Sequence, residues 1–130
     1  MKPKFVLDSD TVIDSLRGVR TVKERLEAIS PDDVAVSAMT VSELRFGAIG
    51  PASQRRMTET AAFLSQVAVL PFTLSEALIH AENRLALRNS PIGFADMIIA
   101  ATALSVPAIL ITSNAREFSR VPGLRVETWP

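Results

Sequence analysis

Two acidic residues stand out by their surroundings. Asp8 closes the apolar run Phe5-Val6-Leu7, and Asp96 opens the run Met97-Ile98-Ile99-Ala100-Ala101. A third, Glu43, sits between Ser42 and Leu44 after the segment Val34-Ala35-Val36-Ser37. A charge embedded in apolar surroundings is costly unless something compensates it. Three carboxylates gathered at one place repel one another unless they are protonated or neutralised. A hard divalent cation removes that conflict, and an all-oxygen ligand set favours Mg²⁺ or Mn²⁺ over zinc. Such an ion makes a nucleophile of bound water and stabilises charge building on a phosphate. The chain has no cysteine and one histidine, His80. It shows neither a serine–histidine pair nor a glycine-rich phosphate loop, so the acids point to metal-assisted phosphodiester hydrolysis.

Each acid also has an ordinary use. Asp8 suits the N-cap of a following helix. Thr40 and Glu43 have the spacing of a capping box. Asp96 is the kind of charge a helix N-terminus favours. His80, between Ile79 and Ala81, reads as a surface or packing residue, because a metal ligand would need more partners.

The elements that would carry these acids follow from periodicity. Phe5-Val6-Leu7, Val34–Ser37, Val67–Leu70 and Ala108–Thr112 read as short buried strands, and Val126–Trp129 as a fifth at an edge. Val12, Ile13, Leu16 and Val19 recur at helical spacing up to a break at Gly18, and Val22, Leu26 and Ile29 continue to Ser30-Pro31. A helix with Val41, Leu44 and Ala48 is expected to start at Thr40 and end near Gly50-Pro51. Met57, Ala61 and Leu64 give the next one its apolar face. Leu74 through Leu87 forms a long amphipathic helix before Ser90-Pro91, and Asp96 through Ser105 a strongly apolar one. Strands alternating with helices argue a parallel α/β sheet. Ligands in such sheets sit outside the carboxyl ends of the strands, where Asp8, Glu43 and Asn114 would fall.

Residues 1–130 read as one domain, long enough to bury a core without covalent staples. Hydrophobic residues are 48% and charged residues 22% of the chain, the profile of a water-soluble globular protein. The apolar lead before Asp8 is too short for a signal peptide, and no apolar run approaches a membrane span, so the expectation is cytoplasmic. Fourteen basic residues balance fourteen acidic ones, so any pull on nucleic acid must come from a local patch. All the basic residues but Lys2, Lys4 and Lys23 are arginine, whose planar fork suits phosphate.

Three blocks then resemble the PIN-domain family, and within it the VapC-type ribonuclease toxins of toxin–antitoxin pairs. They are Val6-Leu-Asp8-Ser-Asp10-Thr-Val-Ile-Asp14, Val36-Ser-Ala-Met-Thr-Val-Ser-Glu43-Leu-Arg-Phe-Gly, and Pro91-Ile-Gly-Phe-Ala-Asp96-Met-Ile-Ile-Ala-Ala. The closing Leu110-Ile-Thr-Ser-Asn114-Ala-Arg116-Glu117-Phe matches the same style. The resemblance implies a three-layer α/β/α sandwich on a central, mainly parallel five-stranded sheet. It implies Mg²⁺ or Mn²⁺ held by Asp8, Glu43 and Asp96, cleavage of single-stranded RNA, a homodimer, and a cognate antitoxin laid over the site. Many members carry asparagine where this chain has Asp10, and a fourth acid where it has Asn114. Asp10 or Glu117 is expected to make up the missing charge, with Ser9 and Ser113 as hydrogen-bonding neighbours. Arg45, Arg116 and Arg120 are nominated for RNA or antitoxin contact. None of the six Phe or the one Trp is singled out as a base-stacking platform. The rival readings are a PIN-fold RNA- or protein-binding module with little or no nuclease activity, and a phosphate-accepting receiver domain. The latter wants a lysine after a late strand, which this chain lacks.

Overall fold

The structure is a computed structural model that describes residues 2–48 and 53–130. Its sheet contains β1 (Phe5–Leu7), β2 (Val34–Ser37), β3 (Ala68–Leu70), β4 (Ile109–Ile111) and β5 (Val126–Glu127). Their order is β3-β2-β1-β4-β5, and all four pairings are parallel. The helices are α1 (Ser9–Leu16), α2 (Arg20–Glu27), α3 (Ala38–Gly47), α4 (Ser53–Leu64), α5 (Leu74–Ala86), α6 (Phe94–Ser105) and α7 (Ala115–Phe118). Among the described residues no helix is long and apolar enough to cross a membrane.

Alternation along the central strands divides the core in two, because successive strand side chains point to opposite faces. Val6 and Leu110 pack on one face with Ile99, Ala103, Phe118 and Val121. Leu7, Val36 and Ile111 pack on the other with Val12, Val22, Leu44 and Trp129. Helices therefore cover both faces of the sheet, giving the expected three layers, and the middle strands are apolar because neither face meets water.

Several boundaries differ from expectation for physical reasons. β3 is not a buried strand: Ala68 and Val69 are exposed, since the strand lies at the sheet edge. β4 and β5 are shorter than their apolar runs. Trp129 lies beyond β5, where its ring meets Phe5 edge-on at 5.9 Å and lies 5.4 Å beneath the Arg25 guanidinium. α1 ends at Leu16, before Val19, and Gly18 takes φ +77, a conformation glycine adopts without penalty. α6 starts at Phe94, so Asp96 lies within its first turn and does not open it. A 3₁₀ turn at Pro31–Asp33 and the short α7 were not foreseen. The helix stop at Gly50-Pro51 lies outside the described residues; α3 itself is closed by the cap residue Ala48.

The order of the strands locates the site. The chain runs outward from β1 through β2 to β3, then returns to β1's other side with β4 and β5. The reversal leaves a crevice at the carboxyl ends of β1 and β4. α3 leaves β2 from that rim, and α6 enters from it to feed β4.

Candidate active site

Asp8 is the first residue past β1 and caps α1, so its ordinary use and its candidate role coincide. One carboxylate oxygen, Oδ1, accepts the Ser9 amide at 2.8 Å, and the other, Oδ2, accepts the Thr112 hydroxyl at 2.8 Å. Asp8 is 6% exposed. Burial, then the charge of Asp10 and, least, that of Asp96, push its pKa up from 3.8 to about 6, against the lowering by those two hydrogen bonds. Thr112 also accepts the Asn114 amide at 2.9 Å, so its hydroxyl ties the ends of β1 and β4 together. Sequence reading did not nominate Thr112. The signal available was a hydroxyl following the apolar strand that pairs with β1.

Glu43 stands in the second turn of α3. The Thr40–Glu43 capping box is not formed, because the helix starts a turn earlier. Ser37 is the N-cap, and its hydroxyl accepts the Thr40 amide at 3.0 Å. Glu43 is thereby released from any capping duty. Its Oε1 is buried without a hydrogen-bond partner. Burial raises its pKa, the Ser9 hydroxyl lowers it, and the charges of Asp96 and Asp10 raise it further. Asp96, half-buried in the first turn of α6, is raised by burial, then by Asp10 and by Glu117.

Asp10 faces the same rim. Its Oδ2 accepts the Ser113 hydroxyl and, at 3.2 Å, the Ser113 amide, while Oδ1 accepts the Thr11 hydroxyl at 3.2 Å. Its charge is felt by Asp8, Glu43 and Asp96 alike. Glu117 reaches only Asp96 in this way and forms an ion pair with Arg120 at 3.0 Å. Asn114 is the N-cap of α7, with no hydrogen bond from its side chain to the helix. The fold thus brings together Asp8, Ser9, Asp10, Glu43, Asp96, Ser113, Asn114 and Glu117. Arg45 and Arg116 are exposed. Arg120 is held within the chain by Glu117 and by the Ser90 carbonyl.

The acids form an open rim and not a closed cage: among the described residues, no three acids or imidazoles are gathered tightly enough to enclose an ion. The donor set nevertheless fits a hard cation. It is all oxygen, its three candidate carboxylates all titrate upward, and one buried oxygen of Glu43 has no partner.

Comparison with known proteins identifies the family. Residues 5–124 match the PIN domain family. The chain belongs to that family. Within it, the chain falls in the VapC group. It is 32% identical to the tRNA(fMet)-specific endonuclease VapC of Salmonella typhimurium, over 97% of this chain and 98% of that protein. It is 28% identical to ribonuclease VapC1 of Haemophilus influenzae strain R2866, over 96% and 97%. The crystal structure of DNA-bound VapBC from Salmonella typhimurium superposes with a TM-score of 0.91 at 31% identity, covering 98% of this chain and 99% of that one.

Proposed function

We propose that this chain is a Mg²⁺- or Mn²⁺-dependent endoribonuclease, the toxin of a toxin–antitoxin pair, that hydrolyses phosphodiester bonds in single-stranded RNA. The observation that carries the reading is the convergence of Asp8, Glu43 and Asp96, each made more basic by burial and by its acidic neighbours, with one Glu43 oxygen buried and unpartnered. Asp8, Asp96 and Glu43 would hold the metal, which when bound neutralises the acids, acidifies a water and stabilises charge on phosphate. Thr112 and the Ser9 amide fix the Asp8 carboxylate, so both of its oxygens keep one orientation. The Ser9 hydroxyl steadies Glu43. Asp10, locked by Ser113, supplies the fourth negative charge, and Asn114 a neutral oxygen in place of an acid. Glu117 is the weaker candidate for that charge because Arg120 already compensates it.

The names of the VapC relatives and the VapBC complex among the similar structures support the ribonuclease and antitoxin parts of the reading. A cavity of about 390 Å³ between α1, α3 and α4, lined by Ile13, Leu16 and Leu44 and by Arg17, Arg56 and the Arg55–Glu59 pair, suits an antitoxin segment with apolar and acidic side chains. The exposed Leu74 and Leu78 on α5 suit a homodimer contact.

The test is Asp96→Asn, an isosteric change at a half-buried position. RNA cleavage with Mn²⁺ is expected to fall at least about a hundredfold and growth arrest to vanish, with the circular dichroism spectrum unchanged. Cleavage retained by this variant would refute the assignment. A folded wild-type protein that neither binds Mn²⁺ nor cuts RNA would favour the binding-module reading.

A further inference from the structure

We propose that the groove between the C-terminal half of α5 and the start of α6 is the track for single-stranded RNA, with Arg84 and Arg88 on phosphates and Phe94 beneath a base. The inference rests on the ribonuclease reading and says where its substrate lies. The groove encloses about 650 Å³ and is lined by His80, Arg84, Leu85, Arg88, Phe94 and Met97, among others, with no aspartate or glutamate in its walls. Arg84 lies in the last turn of α5 and Arg88 just past its end; both line the groove, where like charges repel and an anion between them is favoured. Among the described residues neither is in an ion pair, so both guanidinium charges are open to an anion. Arg88 is steadied by donating to the Leu85 carbonyl at 2.8 Å, which keeps its guanidinium at the end of α5.

Phe94 is 78% exposed, a large ring held in water at the first position of α6. It lies two residues before Asp96 in the same first turn. Unpaired arginines with an exposed aromatic ring are the recognition chemistry of single strands, whose bases offer a free π-face and whose backbone offers phosphates. A duplex hides its base faces. A protein partner would also find arginines and an apolar ring here. Two unpaired arginines in a wall without any acid favour the polyanion.

The probe is a fluorescein-labelled single-stranded RNA of about 12 nucleotides. Its anisotropy is read against Asp96→Asn protein in Mg²⁺, and its cleavage is followed in the Asp96 background with Mn²⁺. Arg84→Ala/Arg88→Ala is expected to weaken binding at least about tenfold and to flatten the slope of log K against log salt by about 1.4, two phosphates' worth on a single strand. Arg84→Lys/Arg88→Lys restores most of that slope. Phe94→Ala weakens binding by about tenfold, Phe94→Trp preserves it, and Phe94→Leu behaves like alanine because it keeps apolar area without a π-face. These side chains are at the surface, so the thermal midpoint is expected to stay put. An unchanged salt slope in the double arginine variant, or Phe94→Leu equal to Phe94→Trp, overturns the proposal. So does a variant that changes oligomeric state on a sizing column while leaving RNA affinity intact, which would make the groove a protein interface. Variants that cut RNA as well as the wild type sink the groove alone; a wild type that neither binds nor cuts RNA sinks the ribonuclease reading with it.

Discussion

Removing the charge of Asp8 should make the metal-free protein more stable at neutral pH. Its pKa rises from 3.8 to about 6 in the fold, so the folded protein prefers the neutral carboxyl. The sign follows from linkage: the stability associated with that preference is fully present below pH 4 and is lost as pH rises through about 6. At pH 7.5 the ionised Asp8 therefore costs about 3 kcal/mol. Asp8→Asn abolishes the charge and keeps the shape. It also gives up part of the good geometry with Thr112 and Ser9, for which about 1 kcal/mol is deducted. A net gain of about 1–2 kcal/mol remains. Urea unfolding in EDTA at pH 7.5 and again near pH 4 measures it, with the gain expected at the first pH and gone at the second. On the proposed metal site, adding Mn²⁺ should then stabilise the wild type more than the variant and shrink or reverse the difference, since a ligand of the folded state alone stabilises it. A variant no more stable than wild type in EDTA at pH 7.5, or a gain that persists undiminished at pH 4, would refute the reasoning.

Other outcomes can be checked on the same material. Thr112→Val keeps the volume but leaves the Asn114 amide and one Asp8 oxygen without their partner; it should cost about 1–3 kcal/mol in urea unfolding and reduce cleavage. Phe118→Ala hollows the core beneath α7 and should cost about 3–5 kcal/mol, with the thermal midpoint as readout. Glu76 caps α5 by accepting the Thr73 amide at 2.7 Å and its hydroxyl at 2.6 Å, which holds its carboxyl below the usual range. Its stabilising effect should be present at neutral pH and lost as pH falls below the usual carboxylate range, so Glu76→Ala should destabilise more at neutral pH than in strong acid.

The three layers, the parallel sheet and the placing of Asp8 and Asp96 were legible because local patterns encode them: an apolar strand followed by an acid, and an acid in the first turn of an apolar helix. Glu43 was harder. Ser37 and Thr40 can both cap a helix, and only the three-dimensional register decides that Ser37 does so. The edge position of β3 was hidden for a related reason, since Ala68-Val69-Leu70 reads as buried and only strand order exposes it. Thr112 with Asp8, and Ser113 with Asp10, were out of reach altogether. Those pairs lie more than a hundred residues apart in sequence and meet only because β1 and β4 are neighbours.

The β1–β4 pairing has a consequence in time. Phe5 registers with Ile109, so the first strand must wait for nearly the whole chain before its central partner exists. At roughly 5–20 residues per second, a ribosome takes about 5–20 s to cover that interval. Through it, Asp8 has neither Thr112 nor the Asp96 rim beside it. Such long loops also close slowly once released, because contacts distant in sequence are entropically expensive to form. A nascent chain that has not yet reached β4 therefore lacks the assembled acid rim.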